Sequence, residues 1–212
     1  MLLQNTVDPW SNLHRDNTRV AEFIGNRGVI HDQNRELRKK TWEGVRWICC
    51  VRDFKGIDRR PLFKTSPFSY SELFFLDEAT ALAAGHRPCN DCRNGDLAVF
   101  KRLWAESGCS VDSRAPIRAT EIDAQLHRER VGDEGTKLTY RARLHSLPHA
   151  AMVAHSGKAY LVRAQGVRLW TASGYLPAAL AAHTEVEVLT PASIVKLLAA
   201  GLPVQVHLSA DA

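Results

Sequence analysis

No stretch of this 212-residue chain approaches the roughly 20 apolar residues that a bilayer-crossing helix needs, so no membrane partner is expected. Its opening, Met1-Leu2-Leu3-Gln4-Asn5, lacks the basic and continuous apolar regions of a signal peptide, which points to a cytoplasmic protein. A Walker phosphate loop and a glycine-rich dinucleotide fingerprint are both missing. Ser173 lies in Ala-Ser-Gly rather than in a Gly-x-Ser-x-Gly elbow, so a hydrolase triad has no support. Internal repeats and low-complexity tracts are absent. Cysteine is scarce, with five at 49, 50, 89, 92 and 109. In a reducing compartment an odd set of this kind suggests metal ligation or buried thiols rather than disulfides.

What is present describes an ordinary globular chain. The 45% hydrophobic and 24% charged residues suffice to build the core of one large or two small domains. The net charge of +5 is unevenly distributed: residues 1–70 hold 13 Lys+Arg against 8 Asp+Glu, and residues 71–212 hold 15 of each. A basic patch confined to the first third suits a polyanion such as nucleic acid, although a merely solvated basic surface has the same composition.

The periodicities predict an α+β protein. Residues 11–25 suggest a helix ending at Gly25, and residues 45–54 are the clearest strand. A turn at Lys55-Gly56-Ile57-Asp58 is expected to lead to a return strand at Pro61 to Lys64. Asn94 opens a helix to about Ala105, with Leu97, Phe100, Leu103 and Trp104 on one face. Residues 108–118, rich in Gly, Ser, Asp and Pro, mark a boundary. Residues 120–130 follow as a helix with a capping pattern at Thr120 and Asp123. Strands are expected at 138–144, 151–155, 159–164, 167–170 and 186–189, with Val204 to His207 as a possible edge strand. Thr190 and Pro191 open a last helix, which Gly201 ends.

The most specific stretch runs from Phe74 to Arg93. Asp77 is a good helix cap, residues 78–84 are alanine-rich, and Gly85 supplies a helix stop. Arg87-Pro88-Cys89-Asn90-Asp91-Cys92 then places two thiols at a spacing from which both reach one metal ion. A redox-active pair has the same spacing, but it sits between a strand and a long helix rather than behind a helix stop.

These residues resemble the zinc-binding domain of the Ada type, found in bacterial DNA alkylation-response proteins. The aromatic pair Phe74-Phe75, the run Ala81-Leu82-Ala83-Ala84-Gly85, His86 and the Arg-Pro-Cys-x-x-Cys motif carry the resemblance. It implies zinc binding and a DNA partner. The family's upstream Cys-x-x-x-Cys, which contains its methyl-accepting cysteine, has no counterpart at residues 56–63, so phosphotriester repair is not implied.

The expected domains are therefore residues 1–110, an Ada-like zinc-knuckle domain with a small sheet, and residues 115–212. The second is expected as a mostly antiparallel sheet or barrel with two helices and no assigned function. The metal ligands are expected to be Cys89 and Cys92 with further donors from Cys50, Cys49 and His31. Neighbours in a strand point to opposite faces, so one of Cys49 and Cys50 should face the knuckle, with Cys50 preferred.

The leading functional expectation is a zinc-stabilised nucleic-acid-binding protein, DNA favoured, linked to DNA repair or damage response. Arg35, Arg38, Lys39, Lys40, Arg59, Arg60, Arg87 and Arg93 would contact phosphates, and a loop carrying Trp170 and Tyr175 would stack on bases. A second reading is an enzyme hydrolysing phosphodiesters with Asp123, His127, Glu129 and Arg130 on one helix, Asp123 orienting the imidazole. A third is a zinc-held protein-interaction module.

Overall fold

Two six-stranded sheets and four helices make up a computed structural model that describes residues 4–16, 20–58, 70–109 and 116–212. The first part contains β1 (Thr6–Val7), β2 (Leu13–His14), β3 (Phe23–Asn26), β4 (Ile48–Val51), β5 (Asp53–Phe54) and β6 (Ile57–Asp58). It continues with β7 (Leu73–Phe75), α1 (Glu78–Ala83), β8 (Arg87–Pro88) and α2 (Asn94–Glu106). The second part contains α3 (Ala119–Arg130), β9 (Tyr140–Arg143), β10 (Met152–His155), β11 (Lys158–Arg163), β12 (Gly166–Thr171), β13 (Gly174–Ala178), β14 (Glu185–Val188) and α4 (Ala192–Ala199). The α+β class is as expected.

The first sheet has the order β2-β1-β7-β3-β4-β8 and is mixed, with β1–β7 and β4–β8 parallel. It is larger than the small sheet expected, because the described residues of the segment expected as a helix include the strands Leu13–His14 and Phe23–Asn26. Phe23 and Ile24 instead sit in β3, where Ile24 lies opposite Cys50 on one side and Phe74 on the other. Pairing to two strands with both residues buried overrides the helical pattern. The second sheet, order β13-β12-β11-β10-β14-β9, is wholly antiparallel and open, and it carries α3 and α4 as anticipated.

Smaller corrections have local causes. The hairpin turn is Lys55-Gly56, both at positive φ, and its return is β6; Pro61 to Lys64 lie outside the described residues. The α3 N-terminus is closed by Arg118 and Glu121 rather than by Thr120 and Asp123. The Thr190 hydroxyl accepts the Met152 N–H at 2.9 Å instead of capping α4. Val204 to His207 belong to no strand. Trp170 and Tyr175, expected in a loop, are cross-strand partners in the β12–β13 hairpin.

The apolar core is continuous between the two parts. Leu82 of α1 and Phe100, Leu103 and Trp104 of α2 pack in one cluster with Ile122, Leu126, Val153, Val186 and Leu197. All six residues of α1 are buried. Asp77 caps it as expected, accepting the Thr80 N–H at 2.8 Å and the Thr80 hydroxyl at 2.7 Å. At the other end Gly85 has φ +86°, and a Cβ there would lie 2.4 Å from Arg130 Cδ. Arg130 cannot yield, because its guanidinium donates to Gly85 O and Val45 O. Gly85→Ala should therefore cost about 1–3 kcal/mol, read as a lower urea midpoint at unchanged slope. An unchanged midpoint would show that the left-handed turn is not required. Among the described residues no helix is long and apolar enough to cross a membrane.

Candidate metal centre

Strand alternation builds the centre. Cys49 and Cys50 are adjacent in β4, so their side chains leave opposite faces of the sheet. Cys49 turns into the cluster of Val7, Phe23, Leu73 and Phe75, while Cys50 turns to Ala21, Ile24, Phe74, Cys89 and Cys92. Beside it, the Cys89 N–H donates to Cys49 O at 2.9 Å, locking the knuckle onto the end of β4. As a result the sulfurs of Cys50, Cys89 and Cys92 lie within 4.8 Å of one another. A group of this kind can hold a metal ion.

The backbone around the centre favours thiolates. The Asp91 N–H points at Cys89 Sγ at 3.4 Å. Donation from the Cys50 and Cys92 thiols, and then from backbone N–H groups, holds Cys89 well below the ordinary thiol range. Cys50 is pushed far up, first by its hydrogen bonds to Cys89 and Cys92 and then by burial. At Cys92, donation from Cys50 favours the thiolate, but Cys89 and burial outweigh it. A bound cation would favour the thiolate at all three positions.

The remaining expected ligands are elsewhere. Cys49 is buried on the opposite face, 3.7 Å from an Arg93 nitrogen, and burial pushes its thiol far up. The imidazole of His31 is bonded to Gln4 O at 3.1 Å. Among the described residues no fourth Cys, His, Asp or Glu joins the group. Residues 59–69 contain none of these types.

Two arginines expected on nucleic acid are instead part of the frame around the knuckle. Arg87 donates to both Asp123 oxygens at 2.8 Å, and its remaining amino group donates to Pro88 O and Asn90 Oδ1, each at 2.8 Å. Arg93 donates to Glu78 at 2.6 Å and Asp96 at 2.7 Å. Both are buried and saturated with carboxylates, so neither reaches a phosphate. Arg59 and Arg60 lie outside the described residues. Tyr175 is also buried, its hydroxyl donating to Asp77 at 2.8 Å, and the Trp170 indole donates to Thr80 Oγ1 at 3.1 Å. The buried Tyr175 ring is not presented as a stacking platform, and Trp170 is half-buried.

No protein-family model matches the chain, and no curated protein or solved structure is similar to it.

Of the four residues expected to be catalytic, the structure brings together His127 and Arg130, with Arg130 Nη2 3.5 Å from His127 Nδ1, while Asp123 and Glu129 are engaged elsewhere. Asp123 is engaged by Arg87 rather than by His127. Glu129 accepts from the Ser193 N–H at 2.9 Å and hydroxyl at 2.5 Å, tying α3 to α4. His127 lies 6.3 Å from Trp42 and 6.2 Å from Trp47, ring centre to ring centre.

Sequence reasoning did not single out a set of cations around the C-terminal end of α1. Arg27, buried, donates to Ser11 O at 3.1 Å and Ser11 Oγ at 2.7 Å. Arg130, also buried, meets Gly85 O at 2.6 Å, and Lys137 meets Ala83 O at 2.5 Å. The Arg27 and Arg130 guanidiniums lie 4.2 and 4.0 Å from the Trp47 ring centre. Of these cations only Arg130 was named from the sequence, and as a catalytic candidate; the set is scattered along the chain and forms no motif.

Proposed function

We propose that the protein is a zinc-stabilised nucleic-acid-binding protein of the reducing cytoplasm, with DNA as the favoured partner. The observation that carries this reading is the exposure of Arg35, Arg38, Lys39 and Lys40 on one short segment. The segment runs directly into Trp42, over whose ring Lys40 Nζ lies at 5.1 Å. Clustered exposed cations beside an aromatic face combine phosphate attraction with base stacking. Zinc is the ion that best suits three thiolates on a short knuckle, and its part here is structural. The local likeness to the Ada-type knuckle favours DNA over RNA.

Four phosphate contacts on single-stranded DNA give a slope of about −3 in log K against log salt, or roughly a 50-fold loss of affinity between 50 and 200 mM salt. Fluorescence anisotropy with a labelled single-stranded oligonucleotide measures it. The triple variant Arg38→Glu, Lys39→Glu, Lys40→Glu should abolish binding. Affinity that ignores both salt and charge reversal would leave the protein-interaction reading in its place.

A further inference from the structure

Buried Arg27 and Arg130 and half-buried Lys137 line a cleft of about 490 Å³. Its lining also includes Trp10, Trp42 and Trp47, and no aspartate or glutamate. The volume is within the usual range for small-molecule sites, about 300–1,000 Å³.

Three cations together without a lining carboxylate need a compensating charge. The C-terminal end of α1 supplies only about half an elementary charge through its carbonyls. Two acids act on them from outside the lining, and both are engaged: Asp8, acting on Arg27 and Lys137, is bonded to His14 at 2.8 Å and Asn12 at 2.9 Å, and Asp123, acting on Arg130, is held by Arg87. Donor capacity is also left over. Arg130 Nε is buried with no hydrogen-bond partner, and one acceptor, Ala83 O, engages the Lys137 ammonium. A buried guanidinium nitrogen without an acceptor is costly in a finished interior and expected in a site that awaits an anion.

The tryptophans define the rest of the ligand. Trp47 is already flanked by the two guanidiniums, whereas Trp10 and Trp42 are only half-buried and expose ring surface to the cleft. We infer that this cleft binds a nucleoside monophosphate, its phosphate on Arg27, Arg130 and Lys137 and its base against Trp10 and Trp42. The ligand is either a free mononucleotide or the 5′-phosphorylated terminal nucleotide of a single strand. A monoester dianion matches three cations better than the single charge of an internal phosphodiester. The inference goes beyond the nucleic-acid reading and stands without it, because a free nucleotide satisfies the same contacts.

The pH dependence has a definite sign. Burial, followed by repulsion from Arg27 and Arg130, pushes Lys137 down to about 7, with Asp8 acting in the opposite direction. Burial pushes Arg27 and Arg130 down to about 9, so both stay charged at neutral pH. A bound dianion raises the Lys137 pKa, so binding takes up a proton and weakens as pH rises through 7. The second phosphate ionisation, near pH 6, sets the acid limit.

Tryptophan fluorescence and titration calorimetry on the full chain test this with adenosine 5′-monophosphate, adenosine and inorganic phosphate. The nucleotide should bind at least tenfold tighter than either fragment. Lys137→Met should weaken it tenfold or more, and Trp42→Ala should weaken the nucleotide while sparing inorganic phosphate. A wild-type protein that binds the nucleotide no better than adenosine overturns the inference, and so does indifference of the affinity to both variants. Competition by an oligonucleotide only when it carries a 5′-phosphate identifies a strand end; no competition identifies the free nucleotide. DNA binding without nucleotide binding sinks this inference alone, and the reverse sinks only the nucleic-acid reading.

Discussion

Cys50→Ser and Cys89→Ser will each lose the metal, while Cys49→Ser, one residue away from the first, will keep it. Elemental analysis should find about one zinc per chain in the parent and in Cys49→Ser, and less than about a tenth of that in the other two. The contrast follows from strand alternation, which sends Cys50 to the knuckle and Cys49 into the core. The stability effects should be graded as well. Structural zinc contributes about 10–16 kcal/mol of binding free energy in small zinc-dependent peptides, and the proposed zinc would supply part of that as folding energy. Loss of a ligand should therefore lower the melting temperature by far more than Cys49→Ser, which places a hydroxyl in the β4 core cluster beside the Arg93 guanidinium. Metal retained in Cys89→Ser, or lost in Cys49→Ser, would refute the three-cysteine centre.

The second large effect is expected at Arg87. Arg87→Met would leave the Asp123 carboxylate buried without its cation, and removing one partner of a buried pair costs about 3–5 kcal/mol. Adding Asp123→Leu should recover part of that loss, because the double variant no longer buries a lone charge. Urea denaturation of the two single variants and the double variant closes the cycle; strict additivity would mean that the pair contributes no coupling. Arg87→Met should also weaken metal binding, because the same guanidinium holds Pro88 O and Asn90 inside the knuckle turn. Metal affinity that is untouched by the variant would show that the turn holds its shape alone.

Local chemistry was legible in the sequence where a residue acts on its neighbours. Asp77 as a cap, Gly85 as a stop, the Leu97-Phe100-Leu103-Trp104 face and the preference for Cys50 over Cys49 all follow from short-range geometry. The misreadings share a different cause. Residues 11–25 were read for helical spacing, but β3 exists because β4 and β7 flank it, a fact about residues 22 to 52 positions away. Arg87 and Arg93 look like any surface arginine in a basic protein; only the fold brings Asp123 and Glu78 against them. Likewise His127 and Asp123 share a helix, yet Asp123 is claimed by Arg87. The cleft was invisible for the same reason, since Arg27, Trp47, Arg130 and Lys137 meet only around the end of α1.

That helix also constrains the order in which the chain can be made. Its N-terminal carboxylates are satisfied late: Asp77 accepts the His207 N–H at 3.1 Å and Glu78 the Gln205 N–H at 3.0 Å. Both partners are synthesised after all four helices and every strand. The hydrogen bonding around the start of α1 is complete only once residues 205–207 are in place, so backbone groups 127 and 130 positions downstream latch this helix.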